Sequence, residues 1–187
     1  MTRLVLVSTL AVTLMLFATA IAGDAVVTCL EKGDTVGVFY VTKVAGAEDD
    51  GVKEGQELCY RCRYGSRPMV IVFTRETGGK LPALVKTIDA VVGDNDQSQL
   101  RGLVTFMGDD LAKVKEEASK FASTAGAKHV PVVIAKETQH GPPNYKLDGS
   151  PVTIVVALDS QVVATHRCAA DEIDIRQVMS EVKRMLN

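Results

Sequence analysis

Residues 66–94 read "SRPMVIVFTRETGGKLPALVKTIDAVVGD". Met69 to Phe73 is a short, wholly apolar run rich in β-branched residues. Such a run suits a strand covered on both faces. After a polar turn with two glycines, Leu81, Leu84, Val85, Ile88, Val91 and Val92 recur at helical spacing. Pro82 falls in the first turn, where a missing N–H costs nothing. The stretch is therefore expected to form a buried strand followed by an amphipathic helix, and the chain repeats the pattern outward from it.

Downstream, "LRGLVTFMG" (100–108) predicts a second strand, and "DDLAKVKEEASKFAST" (109–124) a helix capped by Asp109 or Asp110. "HVPVVIAKE" (129–137) predicts a third strand. "PVTIVVAL" and "QVVATHR" flank Asp159-Ser160, a hairpin signal. "DEIDIRQVMSEVKRML" (171–186) closes the chain as a helix, with acids first and bases last, as the helix dipole favours. Strands alternating with helices imply parallel pairs in a central mixed sheet with helices on both faces, so the expected class is α/β. The C-terminal β-hairpin adds an antiparallel edge. Upstream, "TVGVFYVTKV" predicts a strand and "GAEDDGVKEGQE" a turn-rich loop.

The first 22 residues, "MTRLVLVSTLAVTLMLFATAIA", hold Arg3, a long apolar run and an A-x-A ending at Ala22. They read as a secretory signal peptide, with an uncleaved anchor as the alternative. The expected organisation is a signal peptide over 1–22, an N-terminal extension with a strand and a CxxC loop over 23–67, and a core over 68–187. The chain has 21 Lys+Arg and 23 Asp+Glu. Arg3 lies in the signal and no acid does, so the mature balance is 20 − 23, or −3. There is no basic stripe and no Trp, which argues against nucleic acid. No apolar span after residue 22 is long enough to cross a bilayer.

These segments resemble the thioredoxin-like fold, in particular the redoxin group of peroxiredoxins and exported thiol-disulfide oxidoreductases. "LEKGDTVGVFYVTKVAG" is similar to that group's opening GD-x-x-P-x-F, with Gly37 where Pro is usual. "SRPMVIVF" is similar to its strand entry, "KLPALVKTI" to its active-site helix, and "SPVTIVVALDSQVVATH" to its PTTFLID-x-DG-x-V hairpin. The resemblance implies a reactive cysteine at the tip of the helix after the first core strand. Here "FTRETGGKLPAL" carries Thr74 and Thr77, and no cysteine lies between Cys62 and Cys168. The usual catalytic residue is missing.

The four cysteines are Cys29, Cys59, Cys62 and Cys168. Cys59 and Cys62 precede the first core strand, so they are not expected to be a shifted copy of the usual site. Several readings are open. The pair is a redox dithiol, its thiolate favoured by Arg61, Arg63 and Arg67. Or one or both form structural disulfides, with Cys29 as a candidate partner. Or they supply half of a tetrahedral metal set, which needs Cys29, Cys168 or a histidine nearby. Or the thiols are free and inert. Cys168 ends the hairpin and is expected beside its start, Pro151, which resembles the group's cis-proline. It reads as a displaced reactive thiol, a buried strand-end residue or a partner for Cys29. His166 shares its strand face and could interact with it. His129, His140, the "ETGGK" turn (76–80) and the "AEDDG" turn (47–51) carry structural readings.

No cofactor and no metal is implied. The function expected is that of an exported redoxin-like protein, exchanging thiols with a partner protein through a displaced CxxC. The alternative is a non-catalytic binding or scaffold domain stapled by disulfides.

Overall fold

The computed structural model describes residues 30–94, 99–147 and 149–187. The signal segment and Cys29 lie outside the described residues. The elements are β1 (Val41–Ala45), β2 (Glu57–Leu58), α1 (Tyr60–Tyr64), β3 (Met69–Thr74), α2 (Leu81–Asp94), β4 (Arg101–Phe106), α3 (Leu111–Ala125), β5 (Val132–Ala135), β6 (Val152–Leu158), β7 (Gln161–Cys168) and α4 (Ile175–Leu186). The strands form one seven-stranded sheet in the order β2-β1-β5-β4-β3-β6-β7. β3, β4 and β5 are parallel, β6 pairs antiparallel with β3, and β7 pairs antiparallel with β6. β1 and β2 form the opposite antiparallel edge.

The alternation within β3 explains its position. Val70 and Val72 face one core, while Met69, Ile71 and Phe73 face the other, and all are buried. On the first face pack α2, α3 and α4, through side chains such as Leu84, Ile88, Phe121 and Val178. On the second lie α1, through Tyr60 and Tyr64, and irregular segments that bring Phe39 and Tyr145 against Phe73. The sheet therefore has helices on both faces, heavily weighted to one.

Local chemistry sets the element ends. Asp110 caps α3, its carboxylate accepting from the Ala112 and Lys113 amides at 3.0 and 3.2 Å. Asp159 and Ser160 turn the hairpin with φ of 51° and 66°, the left-handed pair that matches strand twist.

Two segments depart from expectation. The strand predicted over "TVGVFYVTKV" is ordered as β1 only from Val41. Its first part runs beside the β6–β7 hairpin instead: Thr35 bridges antiparallel to Gln161, and the Val36 amide donates to the Ser160 carbonyl at 2.8 Å. The chain must then cross a face of the sheet to reach β1, which a continuous strand cannot do. The second departure is α1, a short helix where a CxxC loop was expected. It forms because Tyr60 and Tyr64, four residues apart, bury their rings together. The Tyr64 hydroxyl donates to the Gly102 carbonyl at 2.7 Å.

Candidate functional site

Two places compete for the chemistry. The first is the entry to α2, at the carboxyl end of β3. The Thr74 hydroxyl donates to the Glu76 carbonyl at 2.7 Å and accepts from the Glu76 amide at 3.0 Å, closing the turn. Glu76 in turn accepts from the Ala170 amide at 2.8 Å, and the Lys80 amide donates to the Ala170 carbonyl at 2.9 Å. The residues after β7 are thus stitched across the helix entry. Gly79 makes this crossing feasible: its φ is +59°, and a Cβ there would stand 2.6 Å from the Ala170 carbonyl carbon.

Cys168 arrives at this place as the hairpin reading expected, paired with Val152 beside Pro151. The Pro151 carbonyl accepts from the Arg75 amide at 2.9 Å. Cys168 is a half-buried free thiol. Burial pushes its pKa up, the Glu172 and Glu76 carboxylates push it further, and Lys80 only partly offsets them. A thiol in that setting stays protonated and is a poor nucleophile. His166 does not attend to it. Its Nε2 lies 2.5 Å from Glu181 Oε2 on α4, so the contact considered between His166 and Cys168 is replaced by a hydrogen bond from β7 to that helix. The cis bond that the resemblance held open before Pro151 is not found, since no peptide bond among the described residues is cis. Here the strand entry is accommodated by the Ser150 hydroxyl, which donates to the Val152 carbonyl at 2.9 Å.

The second place is the start of α1. Cys59 and Cys62 are joined by a disulfide, with Sγ atoms 2.07 Å and Cα atoms 5.2 Å apart. Cys59 is the N-cap, and its sulfur accepts from the Cys62 amide at 3.0 Å. The two sulfurs are not equivalent: Cys59 is buried and Cys62 exposed. Arg61 and Arg63 flank Cys62 in the chain. Arg61 Nε donates to the Val36 carbonyl at 2.8 Å, and Arg63 Nη2 to the Asp50 carbonyl at 2.8 Å. Both guanidinium groups are thereby tied to backbone carbonyls.

The pair is well away from the entry to α2. It follows β2, four strands from β3 in the sheet order, or about 19 Å at ordinary strand spacing. Neither cysteine is available to Cys29 while this bond stands.

A buried network behind α1 escaped the sequence reading. Lys43 is 3% exposed, yet its ammonium is fully engaged. It donates to Asp50 Oδ1 at 2.8 Å and to the Ala47 and Val52 carbonyls at 2.9 Å each. The Val52 amide also donates to Asp50 Oδ1 at 2.7 Å, and the Tyr60 hydroxyl donates to Asp50 Oδ2. Burial and this acidic neighbour push the Tyr60 phenol well above its usual range. The "AEDDG" turn is therefore a counterion loop that anchors α1 through the residue after Cys59. Lysine on a strand normally signals solvent, so the sequence hides it.

No family model matches the chain, and no curated protein matches it in sequence. Solved structures do match. Mycobacterium tuberculosis AhpC is 9% identical with a TM-score of 0.61, over 86% of this chain and 100% of that one. A secreted Mycobacterium tuberculosis disulfide oxidoreductase homologous to Escherichia coli DsbE is 11% identical, with a TM-score of 0.54 over 78% and 95%. The bacterioferritin comigratory protein of Xanthomonas campestris is 11% identical, with a TM-score of 0.55 over 82% and 100%. The chain has a thioredoxin-like fold. At such identities the likeness extends to the fold and no further. Within this thioredoxin-like frame the turn into α2 carries threonine and glycine, and the one bonded cysteine pair among the described residues sits in α1.

Proposed function

We propose that this chain is an exported thioredoxin-like protein that exchanges its Cys59–Cys62 disulfide with the thiols of a partner protein. The observation that carries this reading is the asymmetry of the bond: Cys62 is exposed to attack, and Cys59 is a buried leaving group with a donor already in place. A partner thiolate attacks Cys62 Sγ. The bond to Cys59 breaks and its electron pair leaves on Cys59, where the Cys62 amide favours the negative charge. The partner's second thiolate then attacks the mixed disulfide and releases Cys62. The partner ends as a disulfide, the chain as a dithiol, and the two partner protons end on Cys59 and Cys62.

Magnitude supports exchange over a purely structural staple. In the chain-entropy account, closing a loop this short stabilises by only about 2 kcal/mol, against ~4.7 for a loop of about 100 residues. The staple reading keeps one observation on its side, the burial of Cys59. The experiment is to incubate the Cys59→Ser variant with a dithiol-bearing peptide under oxidising conditions and map the product by mass spectrometry. A mixed disulfide on Cys62, together with peptide oxidation by the parent protein, is the expected result. No adduct and no oxidation would leave the staple. Export rests on residues 1–22 and is tested by N-terminal sequencing of the protein recovered outside the cytoplasm, which should begin at Gly23.

A further inference from the structure

At the end of the sheet opposite the α2 entry, where β4 and β5 begin, an open cleft of about 630 Å³ lies against α1. Its walls carry Arg63, Arg67, Arg101 and Lys128, with Asp49 and Asp50 as the acids. Asp50 is already consumed by Lys43, Val52 and Tyr60, which leaves four cations facing one uncommitted carboxylate. None of the ion pairs among the described residues uses any of the four. The chain as a whole has a net charge of −2, whereas this cleft has an excess of cations, and such a cleft recruits ligands of the opposite sign.

The arginines are also held in position. Arg63 donates to the Asp50 carbonyl, and Arg67 donates to the Arg63 carbonyl at 3.0 Å and to Gln99 Oε1 at 3.1 Å. Guanidinium groups fixed in this way keep further N–H donors for a ligand and lose little entropy on binding it. The charges come from α1, the segment after it, the start of β4 and the segment before β5. Four cations drawn from four segments offer several separate contacts along the cleft. That distribution suits a chain with several carboxylates better than a single small anion.

We infer that this cleft binds an acidic polypeptide segment of a partner protein. Arg63 is the residue next to the exposed Cys62, so a partner held there by its acidic segment is delivered to the disulfide. This use of the cleft rests on the exchange reading, whereas the binding itself does not.

The test is fluorescence anisotropy with a labelled peptide carrying a run of glutamates, titrated with the oxidised protein so that no exchange is needed. Binding should weaken as salt rises, and the same peptide with lysines in place of glutamates should not bind. Lys128→Glu and the double variant Arg63→Glu, Arg67→Glu should each weaken binding by about tenfold or more. Lys86→Glu, an equal charge change on α2 outside the cleft, should alter it by less than about twofold. Circular dichroism confirms that each variant is folded, and Lys128→Glu answers the question if the double variant is not. Equal binding by Lys128→Glu, equal binding of the lysine peptide, or displacement-free binding of citrate or phosphate with no peptide binding would each overturn the inference. Binding by a protein that proves inert in exchange would sustain the cleft and refute only the redox reading.

Discussion

Cys168 and the Cys59–Cys62 pair occupy opposite electrostatic settings in one small domain. Cys168 stands where a thioredoxin-like frame gathers its strand ends, yet two carboxylates and partial burial hold its thiol protonated. The pair stands at an edge of the sheet, yet a helix amide donates to the Cys59 sulfur, and Arg61 and Arg63 flank Cys62 in the chain. Topological place and chemical fitness have been separated. A frame supplies positions, but the charges around a sulfur decide whether it reacts.

The largest test of this contrast is loss of the exposed sulfur. Cys62→Ser should reduce oxidation of a peptide dithiol to the rate without protein, while Cys168→Ser should leave it unchanged, as read by thiol titration. Activity lost in the second variant and kept in the first would reverse the comparison. Next in size is the support behind α1. Asp50→Ala leaves the Lys43 ammonium buried without its counterion and should lower stability by about 3–5 kcal/mol in urea unfolding. Tyr64→Phe removes a single buried hydrogen bond to Gly102 and should cost about 1 kcal/mol in the same assay.

The smallest effect concerns Cys168 itself. A raised thiol pKa means less thiolate at a given pH, so its alkylation by iodoacetamide should rise with pH later than that of a free cysteine model. Removing one negative neighbour lowers the pKa, so Glu172→Gln should speed alkylation at pH 8 by about threefold. A rate unchanged by that substitution would show that burial alone holds the thiol back.

How much of this was readable beforehand differs by element. β3, α2, β4 and α3 were legible because their apolar residues repeat at the period of the structure they form. Even the position of Cys168 was legible, since antiparallel hairpin strands must bring the end of one to the start of the other. α1 was not: its five residues include two arginines, and it is held as a helix by tyrosine contacts to β4 and to the Asp50 loop. The state of Pro151 and the partner of His166 were equally hidden, because each depends on what packs across from it.

The sequence by itself determined the alternation of strands and helices, the mixed sheet and the absence of a thiol at the α2 entry. These follow from local periodicity and from which residues are present. Tertiary structure alone decided which cysteines bond, which sulfur faces solvent, which lysine is buried and which cations share a cleft. Those properties arise between segments far apart in the chain, where burial and charge take their values from neighbours that no local pattern names.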